Sequence, residues 1–407
     1  MKFVYGLFNL SLSCLLVFAG CATQSRVAGP IPIMQAQAEI PEEQLLDVGI
    51  LVFKSKELTE EQAEKEGTNS EIRKAETHFI PYHLKKTLEQ SSHWGAVQVI
   101  PAETNSVDLL VKGEIIESNG EHLSLKIKVV DATGKKWLEK KYSTEATESA
   151  YSGNFPGEKD AFQNLYNTIA NDIAKLKMEL APDEIGKIRT TAKLKFAAEF
   201  APDAFGDHLK TDKAGIAAIN RLPADGDPMM ERLLKIRERE YMYVDTLNEY
   251  YEGYYNEMWP TYAEWRSSNL TEQQAIRKIR RDAAIRQLAG ALLVAGAIAL
   301  GASDVNNTGA IQVGMIIVGG QVFIDGYNIS KETEIHSAAL QELSESFGSE
   351  MKPIVMEFEG KQYELTGSAE EQFKRWRELL RKIYAAETGF DTGIPIEDQQ
   401  TEQDESP

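Results

Sequence analysis

The chain has 407 residues, 42% of them hydrophobic, a net charge of −19 and only two cysteines. The apolar share is enough to bury a core and excludes wholesale disorder, and the length calls for two or three domains. So acidic a surface repels nucleic acid, and no basic stripe interleaved with aromatic residues appears, so no nucleic-acid partner is expected.

The chain opens with Met1-Lys2, an apolar run from Phe3 to Ala19, and Gly20-Cys21. A positive start, a short apolar segment and small residues before a cut are the parts of an export signal, placed at 1–20. The run is short for a membrane span, and Asn9, Ser11 and Ser13 weaken it further. Cys14 leaves with the signal, so the mature chain keeps one cysteine and can form neither an internal disulfide nor a cysteine-rich metal site. Phe18-Ala19-Gly20-Cys21 resembles the lipobox of bacterial lipoproteins, with Phe18 in place of the usual leucine. The resemblance implies that the Cys21 thiol is alkylated by a diacylglycerol and that the new amino terminus receives an acyl chain such as palmitate. The alternative is an ordinary cleaved signal with an incidental cysteine. Ala22-Thr23 lacks the aspartate of inner-membrane retention, which implies the outer membrane of a Gram-negative cell and a periplasm-facing body. Gly29-Pro30, Pro32 and Pro41 then mark residues 21–44 as an extended, lipidated tether.

Residues 45–180 read as a small α/β domain. Val48 to Phe53 is a buried strand, and Lys54 to Thr68 a loop or frayed helix. Glu71 to Gln90 has helical spacing through Ile72, Ala75, Phe79, Leu84 and Leu88, with a kink expected at Pro81. Strands follow at 94–100 and 108–117, and Asn119-Gly120 marks a hairpin turn. From His122 to Val130, Leu123, Leu125, Ile127 and Val129 alternate with Ser124, Lys126 and Lys128. A turn at Asp131-Ala132-Thr133-Gly134 leads into a last strand, 135–143, and an amphipathic helix, 160–180, turns Phe162, Leu165, Ile169, Ile173 and Leu176 inward. The motifs Asp108-Leu109-Leu110-Val111-Lys112-Gly113 and Val129-Val130-Asp131-Ala132-Thr133-Gly134-Lys135 resemble the domain shared by the amino-terminal part of TolB, the curli-secretion lipoprotein CsgG and peptidoglycan-synthase-activating lipoproteins. That resemblance implies protein binding rather than catalysis and assigns no individual residue.

The fold class expected is α+β: this sheet domain, then a mostly helical region. Residues 181–282 are helical, with Ile185, Ile188, Ala192 and Phe196 on one face and a long helix from Met229. That helix is crowded with Tyr241, Tyr243, Tyr250, Tyr251, Tyr254, Tyr255, Trp259, Tyr262 and Trp265. Such rings serve either helix packing, the favoured reading, or a glycan- or peptide-binding platform. Thr271-Glu272-Gln273-Gln274 has the form of a capping box opening a further, basic helix with Arg277, Lys278, Arg280, Arg281 and Arg286. Residues 283–328 then read as an apolar Gly/Ala-rich helical hairpin of glycine-zipper type, with Ala291, Ala295 and Ala299 in one arm and Ala310 and Gly314 in the other. It could be a buried core, a membrane insertion or a homo-oligomer interface; Gln312 and Gln321 would be costly in lipid.

Residues 329–387 form a carboxy-terminal helical region. A helix at 331–351 carries Ile335, Ala339, Leu343 and Phe347, and a short hairpin flanks Glu359-Gly360-Lys361. The capping box Ser368-Ala369-Glu370-Glu371 opens a helix with Phe373, Trp376, Leu379, Leu380 and Ile383 inward. Residues 388–407 are an acidic tail expected to be disordered. No Gly-x-Ser-x-Gly elbow, zinc helix or phosphate loop occurs, and His78, His83, His93, His122, His208 and His336 read as surface residues. No catalytic residue, cofactor or metal site is therefore expected; Cys21 is the one site residue. The function this points to is a non-enzymatic outer-membrane lipoprotein, a scaffold or adapter among envelope proteins. A ring-forming export or pore component and a regulator of peptidoglycan synthesis are the alternatives.

Overall fold

The computed structural model describes residues 29–68, 70–151, 160–299, 338–342, 353–358 and 361–389. The chain divides into two units, Met1–Pro32 and Ile33–Pro407. Residues 29–32 of the first have no regular secondary structure.

The second unit is mixed α/β, with a six-stranded mixed sheet and one long helix. β1 (Val48–Leu51) lies between β3 (Val97–Ile100) and β4 (Leu109–Ser118), parallel to both. The short β2 (Lys54–Ser55) also pairs with β4 in parallel. β4, β5 (His122–Asp131) and β6 (Lys136–Glu145) form an antiparallel meander. Lys54–Thr68, expected as a loop or frayed helix, supplies β2 and α1 (Glu60–Glu66).

Alternation in the meander decides which face is covered. Leu109, Val111 and Ile115 of β4, the four alternating apolar residues of β5, and Tyr142 of β6 are buried. They pack under α2 (Ser70–Gln90) and α4 (Gln163–Met178). The opposite face carries Glu114, Ile116, Lys126, Glu139 and Lys141 to solvent, and Lys126 meets Glu139 at 3.0 Å. A short helix α3 (Glu148–Tyr151) follows β6. Of the residues assigned inward on α4, Leu176 is only half-buried; Lys177 takes the buried position beside it.

The kink expected at Pro81 does not end α2, which is helical from Ser70 through Gln90. Proline removes one helical hydrogen bond, but Phe79, Ile80, Pro81 and Tyr82 are all buried, and that packing holds the turn.

The region 181–282 is helical but not only helical. After α5 (Pro182–Phe200) and α6 (Pro202–Phe205), the chain makes a small hairpin of β7 (Leu209–Thr211) and β8 (Ala217–Ile219). Ala217 N–H donates to the Thr133 carbonyl at 2.7 Å and fixes this hairpin to the β5–β6 turn.

α7 (Pro228–Ala299) is a single helix of 72 residues, about 108 Å at 1.5 Å per residue. Asp227 Oδ1 caps it by accepting from the backbone N–H of Met229 at 2.9 Å and Met230 at 3.1 Å. The expected break at Thr271-Gln274 is absent: α7 runs through it, and the Thr271 hydroxyl donates back to the Ser267 carbonyl at 3.1 Å. A capping residue needs extended backbone, and buried Trp265, Asn269 and Leu270 keep this stretch helical instead. No helix among the described residues is long and apolar enough to cross a membrane. Residues 283–299 of the expected hairpin belong to α7; its turn and second arm lie outside the described residues.

Gly120, in the β4–β5 turn, lies against α7 so closely that a Cβ would stand 1.9 Å from the Arg266 carbonyl oxygen and 2.7 Å from Leu270 N. Backbone cannot yield as a side chain can. Gly120→Ala is expected to destabilise the fold by about 3 kcal/mol, seen as a lower urea midpoint at unchanged slope. An unchanged midpoint would show that α7 is not seated on this turn.

Residues 338–342 are helical, and Leu340 rather than Ala339 is the fully buried residue there; the rest of the expected 331–351 helix lies outside the described residues. β9 (Ile354–Phe358) and β10 (Lys361–Leu365) form the expected hairpin. α8 (Ala369–Thr388) starts with the expected box, Glu371 N–H donating to Ser368 Oγ at 3.3 Å and Ser368 N–H to Glu371 Oε2 at 3.2 Å. It packs on the first half of α7, with Trp376 stacked at 5.3 Å on Tyr243.

Candidate functional site

Cys21 lies outside the described residues. The chain after it does not stay a free tether to residue 44. Ile33 packs against the core. Met34 N–H donates to Asn171 Oδ1 of α4 at 2.7 Å, and Ala36 N–H to the Ser91 carbonyl beyond α2 at 2.9 Å. Further along, Arg189 of α5 donates to the Glu42 carbonyl. Apart from one 3-10 turn, Glu42–Gln44, the segment has no helix, and it satisfies part of its backbone on the body.

Two of the groups beneath this strap are shifted by burial. Lys177 Nζ donates to the His93 carbonyl at 2.5 Å and lies 5.6 Å from the Trp94 ring centre. Burial lowers this lysine to about 8 and lowers His93 as well.

A seam of buried polar groups joins α2, α4 and α7. Arg266 of α7 holds Asp160, just before α4, through two bonds of 2.7 and 3.2 Å, and its guanidinium lies 4.3 Å from the Tyr262 ring centre. Asp160 Oδ1 also accepts from Phe162 N–H at 2.7 Å. One turn away, Glu76 Oε1 of α2 accepts from Ser118 Oγ at 2.5 Å and from Tyr262 OH at 2.6 Å, and Arg73 lies 3.3 Å from its other oxygen. His83 Nδ1 is 2.7 Å from Tyr255 OH and Nε2 is 2.9 Å from Gln163 Oε1. The His83 ring lies parallel to Trp259 at 5.9 Å.

Burial and nearby charges shift these groups in different directions. Burial raises Glu76, and Arg73 only partly offsets it. Burial pushes Asp160 up too, but Arg266 and His83 outweigh it and its carboxyl ends below the usual range. Burial lowers His83 below 6.5. Unfolding below pH 6.5 therefore lets His83 take up a proton, and stability is lost as pH falls below that value. His83→Gln is expected to flatten the slope there by up to about 1.4 kcal/mol per pH unit. Comparing urea unfolding of the variant and the wild type isolates the effect. Glu76 and Asp108, the latter raised by burial to about 6, act in the opposite sense, losing stability as pH rises. An identical slope in both proteins would remove His83 from the seam.

Aromatic packing surrounds the seam. Tyr243, Tyr251, Tyr254, Tyr255, Tyr262 and Trp265 are buried, and Phe79 stacks on Tyr255 at 4.6 Å. These rings pack helices together rather than forming an open platform. His83, His93 and His208, expected at the surface, are buried. Each is engaged: His208 Nδ1, for instance, lies 3.1 Å from the Arg221 carbonyl. Among the described residues no group of three His, Cys, Asp or Glu could hold a metal ion.

At the opposite end of α2 from the strap, a cleft of about 450 Å³ opens between the β4–β5 turn and α7. Ion pairs Arg73–Glu66 and Arg277–Glu121 and exposed Ile116 line it. The clamping residues Asp160, Glu76, His83 and Arg266 carried no sequence signal, because charged residues are abundant here and pairing exists only in space. Asn248 is another: it accepts from Val99 N–H at 2.8 Å and donates to the Val99 carbonyl at 2.9 Å, closing the β3 edge of the sheet.

No family model matches the chain, and no curated protein matches it. Among solved structures, a PelC dodecamer from Paraburkholderia phytofirmans aligns over 36% of this chain and 88% of its own, at 12% identity and a TM-score of 0.17. A score that low establishes no common fold.

Proposed function

We propose that this chain is a non-enzymatic lipoprotein of the outer membrane, held by lipid on Cys21, whose body is a scaffold or adapter for other envelope proteins on the periplasmic side. The observation that carries the reading is the amino-terminal sequence: Lys2, the apolar run to Ala19, and Phe18-Ala19-Gly20-Cys21. The body suits that role. Arg266–Asp160 and Tyr262–Glu76 clamp the 72-residue α7 to the sheet domain.

The finer reading of residues 283–328 is a glycine-zipper hairpin. α7 runs past Arg277 through Ala299, and small residues recur at spacing four in both arms. A glycine-zipper hairpin also suits the second reading, a ring-forming export or pore component. In that case the hairpins of several copies associate.

In-cell photocrosslinking from exposed positions of α7, followed by purification from intact envelopes, tests the adapter reading. One or a few discrete envelope partners are expected. Crosslinks only to other copies of this chain would favour the ring. Turnover of an ester, peptide or glycan substrate by the purified protein would overturn the non-enzymatic reading.

A further inference from the structure

We propose that the outer edge of β6 is a docking site for an acidic, extended peptide of a partner protein, which adds to the sheet as a further strand. The proposal does not depend on anchoring at Cys21.

The two edges of the sheet are finished differently. At the β3 edge, Asn248 of α7 occupies both the N–H and the carbonyl of Val99. β6 forms the other edge and pairs only with β5. Ala146 N–H donates to the Glu121 carbonyl, and from there the register pairs Leu123 with Thr144, Leu125 with Tyr142 and Ile127 with Lys140. Bonded pairs alternate along an antiparallel ladder. Thr144, Tyr142 and Lys140 therefore bond β5, while Glu139, Lys141, Ser143 and Glu145 turn their N–H and carbonyl groups outward. All four residues are exposed, and among the described residues no backbone group bonds that edge. Such a row of unpaired donors and acceptors, about 20 Å long, is a template for another strand.

Charge selects which strand. In a chain of net charge −19, residues 124–144 carry six lysines and two acids. Glu139 is shared by Lys126 at 3.0 Å and Lys136 at 3.1 Å. Asp172 of α4 is likewise shared by Lys140 at 2.8 Å and Lys175 at 3.8 Å. Lys128, Lys135 and Lys141 have no ion-pair partner among the described residues. Of the other acids nearby, Glu114 lies opposite Lys126 on β4, one strand further in, and Glu145 at the end of β6 acts on Arg277. The edge is thus left with an excess of cations. An added strand sets alternate side chains beside Lys141 on the open face and beside Lys140 on the helix side, where carboxylates are favoured. Lysines on an edge also discourage neutral and basic strands, so the same residues supply the discrimination.

The test is fluorescence anisotropy of the purified chain with a fluorescein-labelled peptide as long as β6, glutamate alternating with threonine. Saturable binding is expected. A lysine–threonine peptide, and a fully N-methylated counterpart that keeps the carboxylates but lacks every N–H, are expected not to bind. Ser143→Pro, which removes an outward N–H without touching the β5 ladder, is expected to weaken binding about tenfold. Lys141→Glu should weaken it several-fold. Ser143→Ala, which loses only the 2.8 Å hydroxyl contact to Ser124, should bind as the wild type does. Urea midpoints report whether Ser143→Pro folds; the methylated peptide decides the matter if it does not. No saturable binding, equal binding of the methylated or the lysine peptide, or binding unmoved in folded Ser143→Pro overturns the proposal. Dimerisation of the free chain that Ser143→Pro abolishes would assign this edge to a second copy and overturn it as well.

Discussion

Replacing Arg266 with alanine is expected to destabilise the protein by about 3–5 kcal/mol, because it leaves the Asp160 carboxylate buried without its partner. Both side chains are almost wholly inaccessible, and Arg266 meets Asp160 through both terminal nitrogens while lying over the Tyr262 ring. The loss falls on the junction between α7 and α4, so unfolding should be accompanied by exposure of the Tyr262 and Trp265 rings, visible in tryptophan fluorescence. Arg266→Met combined with Asp160→Asn should be less damaging than the two single changes added together, since neither leaves an isolated charge. A strictly additive double variant would mean that the two groups do not interact, and the seam would lose its principal clamp.

Cys21→Ser is expected to move the protein from the membrane fraction to the soluble fraction almost completely. Each buried methylene stabilises anchoring by about 0.8 kcal/mol. Removing two or three acyl chains therefore removes on the order of ten kcal/mol or more of membrane affinity. Neither the net charge of −19 nor any described helix offers a substitute for it. Ile33→Asp supplies the control: it disturbs the strap but keeps the thiol, and it should stay with the membrane. Unchanged fractionation of Cys21→Ser would refute anchoring by this residue.

The parts of the fold legible in the sequence are those written in local periodicity. The alternation of Leu123, Leu125, Ile127 and Val129 located β5 and its buried face, and Ser368 with Glu371 located the start of α8. Local signals failed where tertiary packing overrode them. Thr271-Gln274 has capping-box chemistry, but buried Leu270 and Trp265 carry the helix straight through it. Pro81 does not end α2, where Phe79 and Tyr82 are packed around it. The strap is not legible because Gly-Pro punctuation disfavours a long helix without saying whether the segment lies on the body. The aromatic run of α7 packs helices, as its spacing favours, but its partner α2 and the ion pairs threaded between the rings have no signature in spacing. Glu76, Asp160 and Arg266 are far apart in sequence and meet only after folding.

The most direct test is the intact mass of the protein extracted from native membranes with detergent. A chain beginning at Cys21 and heavier by a diacylglyceryl group and an amide-linked acyl chain is the predicted result. A chain beginning elsewhere, or one carrying an unmodified thiol at that residue, would contradict it.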